Sequence, residues 1–318
     1  MSTMKTGWIE FKDRTEEMNA NHEKFVGSMH KFRIMGDAKS DTNKIILTDF
    51  WKHPQVVAAL GYAFPRFHQL TGSCVGAGGG NCLFTLMAIE VIRLGQAEQI
   101  KLPFWLYTYG KSRQRGGIRG EGEGSFGSAY AEAAKLDGYI DIGFEDTPDP
   151  TQNDGLVYTS NLEFKWSNGA AIASKYNQEA KKHLVKSTSP VSSAEEARES
   201  IMNGFPITIA TDYYIGSAQI KGSGDNKAAI GKLNGRGGHQ TSIQAFWDNP
   251  DLGLIFGNQN NWDRSVYPKD PGGLGDSACW MSESDMNYAC KNGEVYAFSQ
   301  FDGFPAQRID KMLFRVMG

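Results

Sequence analysis

The chain has 318 residues, of which 40% are hydrophobic and 22% are charged, and its formal net charge is −3. This composition is ordinary for a globular protein of one large domain or two small ones. A near-neutral charge provides no broad basic field for nucleic acid, and no run of about 18 apolar residues predicts a membrane span. We therefore expect neither nucleic acid nor a membrane among the partners.

Cysteine and histidine usage argues against several kinds of site. Four cysteines are too few and too scattered for a disulfide framework, although Cys279 and Cys290 could pair, and no Cys-x-x-Cys motif is present. The chain has neither a His-Glu-x-x-His zinc motif nor the Gly-x-Ser-x-Gly motif of a serine nucleophile. Glu121 and Glu123 are weak candidates for a pair of glycosidase carboxylates. We expect no metal and no cofactor.

The first 65 residues are more polar than the rest of the chain. A charged cluster at 12–17 and a turn-rich segment at 36–43 stand out in them. We predict an N-terminal arm or extension at 1–65 that packs on a main domain at 66–318. The N-terminus lacks the apolar core of a signal peptide, which favours a cytoplasmic location over secretion.

The segment at 69–93 combines a glutamine, a Gly-Ser turn and a cysteine with an apolar run at helical spacing. This pattern places Cys74 at a helix N-terminus, where the helix dipole and unpaired N–H groups favour thiolate over thiol. Gln69 lies just upstream, where its amide could donate to a developing oxyanion together with the Cys74 N–H. The alternative is a small buried cysteine that begins a core helix.

Glycines recur inside this helix at 78–80 and in a loop at 115–127 that follows a short aromatic helix predicted at 102–113. The glycines at 78–80 predict close packing of the helix backbone. The loop has six glycines among thirteen residues but no Gly-Lys-Ser/Thr ending, so its sequence argues against a phosphate-binding loop.

The later part of the chain has a different character. A capping box at Ser193–Glu196 predicts a helix that ends near residue 204, followed by a buried strand at 205–210. The segment at 214–238 is rich in glycine and lysine and predicts a mobile loop that gates a cleft. The segment at 293–299 alternates as a strand does.

A histidine and an asparagine in this half complete a candidate catalytic set. His239 follows two glycines and opens a strand-like run, as a base for the cysteine would need. Asn260 follows the next short strand and lies two positions before Trp262, where it could orient the imidazole.

This ordered set of Gln, Cys, His and Asn-x-Trp resembles the papain-like cysteine peptidases. The resemblance implies an α+β fold with a helical left half at about 66–145, a β-barrel-like right half at about 190–300, and a cleft between them. It implies peptide-bond hydrolysis of peptide or protein substrates, and in that family an N-terminal prosegment often inhibits the enzyme.

The resemblance also implies a role for each residue that it matches. Cys74 is the nucleophile, His239 the general base and acid, Asn260 the residue that orients the imidazole, and Gln69 the oxyanion donor. Trp262 shields the Asn–His hydrogen bond from water. The substrate-binding residues are Gly124, Ser125, Phe126, Gly238 and Trp262.

The chain departs from the papain pattern at several positions. Gln69 precedes the cysteine by 74 − 69 = 5 positions, one fewer than in papain, and Val75 stands where papain has tryptophan. His239 follows the cysteine by 239 − 74 = 165 positions, against ~130–150 in papain and the cathepsins. Gln240 and Asn261 replace alanine and serine.

These departures leave a second hypothesis open, a catalytically silent papain fold that serves as a structural or binding protein. The tail at 301–310 resembles uncharacterised papain-like proteins encoded by tailed phages. That resemblance implies virion or assembly partners.

Overall fold

The computed structural model describes residues 6–36, 42–95, 99–145, 147, 159–262 and 266–310. Most helices precede most strands along the chain, as the predicted α+β class requires. The helices are α1 (Glu16–Ser28), α2 (Pro54–Leu60), α3 (Cys74–Leu94), α4 (Trp105–Arg115), α5 (Gly127–Leu136), α6 (Ser160–Ser167), α7 (Ser174–Ala180), α8 (Ala194–Met202) and α9 (Glu283–Asn292). The strands are β1 (Ile34–Met35), β2 (Lys44–Ile46), β3 (Ser187–Pro190), β4 (Ile207–Lys221), β5 (Ala228–Asn249), β6 (Gly253–Gln259), β7 (Ala278–Ser282), β8 (Glu294–Ser299) and β9 (Phe304–Pro305).

The seven-stranded sheet has the order β3-β8-β4-β5-β6-β7, and β2 pairs with β5 at the side of this path. Its neighbours along the path are antiparallel, and one parallel pairing joins β5 to β7 at Ile230 and Trp280. Within the described ranges β3 and β7 do not pair with each other. The predicted barrel-like half is therefore a curved, partly closed sheet rather than a closed barrel.

Helix α3 is the centre of the helical half and is buried along almost its whole length. A Cβ atom added at Gly79 would lie 2.0 Å from the ring of Tyr130, and one at Gly80 would lie 2.6 Å from Trp105. The glycines predicted to permit close packing therefore do so against the rings of α4 and α5. By length and composition α3 could cross a membrane, but 89% of its most apolar stretch is buried, as in the core helix of a globular protein.

The segment predicted as a mobile loop at 214–238 is a β-hairpin, so that prediction is wrong. Strands β4 and β5 stay paired as far as Lys221 and Ala228, and the Asp251 side chain accepts hydrogen bonds from Ser223 and Asn226 at the tip. Glycine and lysine obscured the strand pattern because the hairpin projects beyond the core and presents polar side chains to water. Its backbone pairing, which composition does not reveal, determines its structure.

Other local predictions are confirmed. The hydroxyl of Ser193 accepts a hydrogen bond from the Glu196 N–H, as a capping box requires, and α8 ends at Met202. The predicted aromatic helix is α4. Strand β8 is present but buried at all six positions, because both of its faces are covered. Cys279 and Cys290 are free thiols.

The described residues before 66, at 6–36 and 42–65, pack closely on the main domain. Strand β2 joins the large sheet beside β5, and β1 pairs in parallel with β9 near the C-terminal end of the described chain. A boundary at residue 65 stays a prediction.

Candidate active site

Cys74 is the first residue of α3 and is completely buried. Its sulfur accepts a hydrogen bond of 3.4 Å from the backbone N–H of Gln240, the residue directly after His239. The helix start and the histidine strand therefore meet at the sulfur, although 166 positions separate these two partners in sequence.

The orientation of His239 is determined by a chain of hydrogen bonds that ends on the backbone. The Tyr267 hydroxyl donates to the carbonyl oxygen of Ile215 (2.8 Å) and accepts from Asn260 Nδ2 (2.9 Å). This arrangement directs Asn260 Oδ1 toward His239 Nε2, 3.1 Å away. Because Oδ1 can only accept, Nε2 carries the proton of the neutral ring.

The other ring nitrogen, Nδ1, is therefore the basic atom of His239. It is buried and makes no hydrogen bond within the part of the chain that the structure describes. An imidazole in this tautomer can accept a proton from a neighbouring thiol.

Aromatic rings enclose the histidine. The Trp262 ring stacks on His239 with centroids 4.7 Å apart and an interplanar angle of 15°, and the Tyr214 ring meets both rings edge-on. His239 is 4% exposed. The rings thereby separate the His239–Asn260 hydrogen bond from water.

The two residues that depart from the papain pattern beside the histidine and the asparagine join the halves of the site. Asn261 Nδ2 donates to the carbonyl oxygens of Cys74 (2.9 Å) and Gln240 (3.1 Å). Gln240 Nε2 donates to the carbonyl oxygen of Val75 (3.1 Å). Both side chains are buried. Alanine at position 240 has no side-chain donor, and serine at position 261 has one donor against the two of the amide. These substitutions therefore provide polar links between α3 and the sheet.

Gln69 belongs to the loop that leads into α3. Its backbone N–H donates to the Asn261 carbonyl oxygen (2.8 Å), and its side-chain nitrogen donates to the Thr71 carbonyl oxygen (2.7 Å). The amide group is therefore held within the loop that precedes Cys74.

The N-terminal arm, defined here as residues 6–14, occupies the cleft beside the cysteine. The N–H groups of Gly7 and Trp8 both donate to the Gly238 carbonyl oxygen at 3.0 Å. On the opposite wall the Ser125 N–H donates to the Gly7 carbonyl oxygen (3.0 Å), and the Ile9 N–H donates to the Ser125 carbonyl oxygen (2.8 Å). The arm therefore fills the space between the two walls and forms an isolated parallel β-bridge between Trp8 and Ser125.

A buried carboxylate holds the side chains of the arm. Glu294 Oε2 accepts hydrogen bonds from Trp8 Nε1 (2.6 Å) and from Arg14 Nη2 (2.5 Å), and His22 Nδ1 lies 3.2 Å from Oε1. The N–H groups of Gly127 and Ser128, at the start of α5, donate to the same carboxylate. Burial alone would raise the pKa of Glu294, but the hydrogen bond from His22 and the charge of Arg14 outweigh it and hold that pKa well below its usual range.

Burial also determines the charge state of the candidate pair. It raises the pKa of the Cys74 thiol to about 12, against the opposing effect of backbone N–H groups that include those of Gly7 and Trp8. Burial likewise lowers the pKa of His239 to about 4, although the hydrogen bond to Asn260 favours the charged ring. Thiol and imidazole are therefore both neutral at pH 7 while the arm is in place.

The structure thus brings Cys74, His239, Asn260 and Trp262 together, with Gln69 in the adjoining loop. Of the predicted substrate-binding residues, Ser125 and Gly238 bond to the arm, while the Gly124 N–H donates to the Gly72 carbonyl oxygen. Phe126 is completely buried, and the Arg14 guanidinium lies 4.5 Å from its ring centroid.

Sequence reasoning missed Tyr267, Glu294, Trp8 and Glu163, a buried residue that contacts the loop before Cys74. Each belongs to no motif and contacts partners far away in the chain, as Trp8 and Glu294 do across 286 positions. Within the described ranges, no group of three or more His, Cys, Asp or Glu side chains could hold a metal ion.

Comparisons with known proteins bear on the fold. No family model and no curated protein matches the chain. Among solved structures, xylellain, a cysteine protease from Xylella fastidiosa, matches 94% of this chain and 98% of its own at 13% identity, with a TM-score of 0.55.

Two procathepsins are similar in fold. The procathepsin L2 proteinase of Tenebrio molitor has a TM-score of 0.54 at 12% identity, with 92% of this chain and 83% of that chain covered. The procathepsin B S9 of Trypanosoma congolense has a TM-score of 0.53 at 10% identity, with 91% and 89% covered. The protein therefore has the fold of the papain-like cysteine proteases.

Proposed function

We propose that the protein is a papain-type cysteine peptidase whose cleft is closed by its own N-terminal arm in the state described here. The observation that supports it most is the oriented His239 ring, which has an unprotonated Nδ1 and directly precedes Gln240, whose N–H bonds to the Cys74 sulfur. A buried hydrogen-bond chain that selects one imidazole tautomer supplies the base that a thiol nucleophile needs.

In the proposed reaction the Cys74 thiol transfers its proton to His239 Nδ1, and the thiolate attacks the carbonyl carbon of a peptide bond. The Cys74 N–H and the Gln69 amide stabilise the oxyanion. His239 then protonates the leaving amine as the C–N bond breaks, which leaves a thioester on Cys74. Water, deprotonated by His239, hydrolyses the thioester and regenerates the thiol.

The arm must leave before a substrate enters. It takes up the backbone hydrogen bonds of Ser125 and Gly238, which stand on the two cleft walls. The N–H groups of Gly7 and Trp8 also interact with the Cys74 sulfur, where they oppose the rise in the thiol pKa that burial causes. Departure of the arm would admit water and thereby favour the thiolate–imidazolium pair.

A silent papain fold is the second candidate. The neutral, buried Cys74 and His239 support it, because a pair that never opens to solvent would catalyse nothing. On this hypothesis the partners would be other proteins, for example in a virion. Phage origin and cytoplasmic location stay hypotheses.

Alkylation of the full chain tests the proposal. We expect iodoacetamide to modify Cys74 slowly at pH 7 in the wild type. It should modify Cys74 faster in Gly7→Ala, where the arm cannot seat in the cleft; this variant is the released protein. Mass spectrometry maps the site, and Cys290, the half-buried thiol, serves as an internal reference. Cleavage of a peptide library by the released protein, and its loss in Cys74→Ala but not in Cys82→Ala, would support the peptidase.

Failure of the released protein to cleave any peptide, together with an ordinary thiol reactivity at Cys74, would favour the silent fold. Equal cleavage by Cys74→Ala would exclude Cys74 as the nucleophile.

A further inference from the structure

The loop that leads into α3 rests on an acidic side chain from a distant helix. Glu163 of α6 is 1% exposed, and its carboxylate contacts the backbone of Leu70 and Thr71 and the hydroxyl of Ser73. The mechanism proposed above does not use this buried carboxylate, and its position at the oxyanion side of Cys74 needs an explanation.

Four hydrogen bonds join Glu163 to the loop. Oε1 accepts from the Leu70 N–H (2.7 Å), and Oε2 accepts from the Thr71 N–H (2.8 Å). Oε2 also accepts from the Ser73 hydroxyl (2.7 Å) and from the Thr71 hydroxyl. Hydrogen bonds to an ionised acceptor are shorter and stronger than those between neutral groups.

We propose that Glu163 is the positioning residue for the oxyanion-stabilising groups of this site, an inference that rests on the proposed peptidase function. It acts through Thr71 on Gln69 and through Ser73 on the start of α3.

The first route runs through Thr71. Glu163 fixes the N–H and the hydroxyl of Thr71, and the carbonyl oxygen of the same residue accepts from Gln69 Nε2 at 2.7 Å. The position of the Gln69 amide therefore depends on Thr71. An oxyanion donor displaced by a fraction of an ångström loses much of its effect.

The second route runs through Ser73, the N-cap residue of α3. A serine at this position usually accepts a hydrogen bond from an N–H of the first helical turn, but the Ser73 side chain makes no such bond. Its hydroxyl donates to Glu163 instead. The cap side chain thus takes up no N–H group of the first turn. The N–H groups of Gly76 and Ala77 donate to the Ser73 carbonyl oxygen, while that of Val75 interacts with the Cys74 sulfur.

Only a carboxylate fits this role. The four loop groups all donate, and an ionised carboxylate accepts through both of its oxygens. Glutamine has the same shape but offers one acceptor and one donor group, so in either orientation its nitrogen would oppose the N–H of Leu70 or of Thr71. Helix α6 is itself held in place, because Arg113 Nε donates to the Ser167 carbonyl oxygen (3.0 Å) and the Trp166 ring meets Phe104 edge-on.

Two reagents separate positioning from general structure. A peptide aldehyde binds by addition of the thiolate to the aldehyde carbon, which creates an oxyanion in the site. Iodoacetamide alkylates the thiolate by displacement of iodide and creates no oxyanion. Both must enter the same cleft, so the ratio of their reactivities cancels any effect of the arm.

In full-length Glu163→Gln we expect aldehyde affinity to fall about 10-fold or more, while the iodoacetamide rate at Cys74 stays within about 2-fold. Glu179→Gln removes a partly exposed carboxylate that pairs with Lys182 and is the charge control. Both measurements are made in the wild type and in Gly7→Ala, which is expected to vacate the cleft.

Unchanged aldehyde affinity in Glu163→Gln, or an equal loss in both reactions, would overturn the inference. If that variant does not fold, Thr71→Val and Ser73→Ala provide the test, because both keep the carboxylate. Each must lower the aldehyde affinity by about 3-fold and leave the iodoacetamide rate unchanged. A parent protein that binds no aldehyde would overturn the proposed function and this inference together, whereas a normal Glu163→Gln overturns the inference alone.

Discussion

Gly7 of the arm lies against Gly72, two positions before Cys74, so closely that a Cβ atom at position 7 would be 1.7 Å from the Gly72 carbonyl oxygen. The neighbour is backbone and cannot move aside, so Gly7→Ala prevents the arm from seating. We expect the iodoacetamide rate at Cys74 to rise at least ~10-fold. This rise corresponds to a loss of about 1.4 kcal/mol in the free energy of closing the arm over the cleft. Mass-spectrometric labelling kinetics measure it.

Gly27→Ala is the matched control for this variant. Gly27 lies in α1, and no atom would lie within 4 Å of an added Cβ. The labelling rate in this variant should equal that of the wild type. Labelling of Gly7→Ala at the wild-type rate would mean that the arm does not limit access to Cys74.

Tyr267→Phe tests the tautomer of His239. Without the hydroxyl, Asn260 Nδ2 loses its acceptor, and the amide can rotate so that it no longer accepts from His239 Nε2. We expect kcat of the released protein to fall about 10-fold with little change in KM. The double variant with Asn260→Ala should have no lower kcat than Asn260→Ala alone. Tyr288→Phe, which removes a hydroxyl of an exposed tyrosine bonded to Asp212, should have no effect. Additive losses would contradict the hydrogen-bond chain.

Acid should open the arm. Burial holds the pKa of His239 at about 4, against 6.5 for a solvated ring, so protonation favours any opening that brings water to this ring as pH falls from about 6.5 to 4. The hydrogen bond from His22, with the charge of Arg14 in the arm, holds the pKa of Glu294 low, so the carboxylate's contribution is complete above the ordinary value of ~4.3 and declines below it.

Hydrogen exchange at residues 6–14, corrected for intrinsic rates, measures this opening. Protection should fall between pH 7 and pH 4, and Glu294→Gln should lower it at pH 7 because Arg14 loses its carboxylate partner. Equal protection at both pH values in the wild type would contradict the prediction.

Asn261→Ala should destabilise the protein. It leaves the buried carbonyl oxygens of Cys74 and Gln240 without the amide that joins them, which costs about 1–3 kcal/mol in the free energy of unfolding. Urea unfolding measures the change. Asn234→Ala, at an exposed position of the hairpin, should shift that free energy by less than about 0.5 kcal/mol. Similar stabilities of the two variants would mean that Asn261 does not join the halves.

The sequence by itself was enough to predict the features that local patterns encode. Apolar spacing and a Gly-Ser turn predicted that Cys74 begins a helix, and the capping box predicted the start of α8, because helix geometry and capping involve residues only three or four positions apart. The order of Gln69, Cys74, His239 and Asn260 was sufficient to predict the fold class.

The tertiary structure decided what depends on contacts between distant residues. Trp8 and Glu294, and Glu163 and Thr71, meet only after the chain has folded, and no local period or motif records a single buried partner. The hairpin at 214–238 was missed for the same reason, because cross-strand backbone bonds determine it rather than side-chain composition. The charge state of Cys74 depends on its burial and on the N–H groups of Gln240, Gly7 and Trp8, which meet its sulfur only in the folded chain.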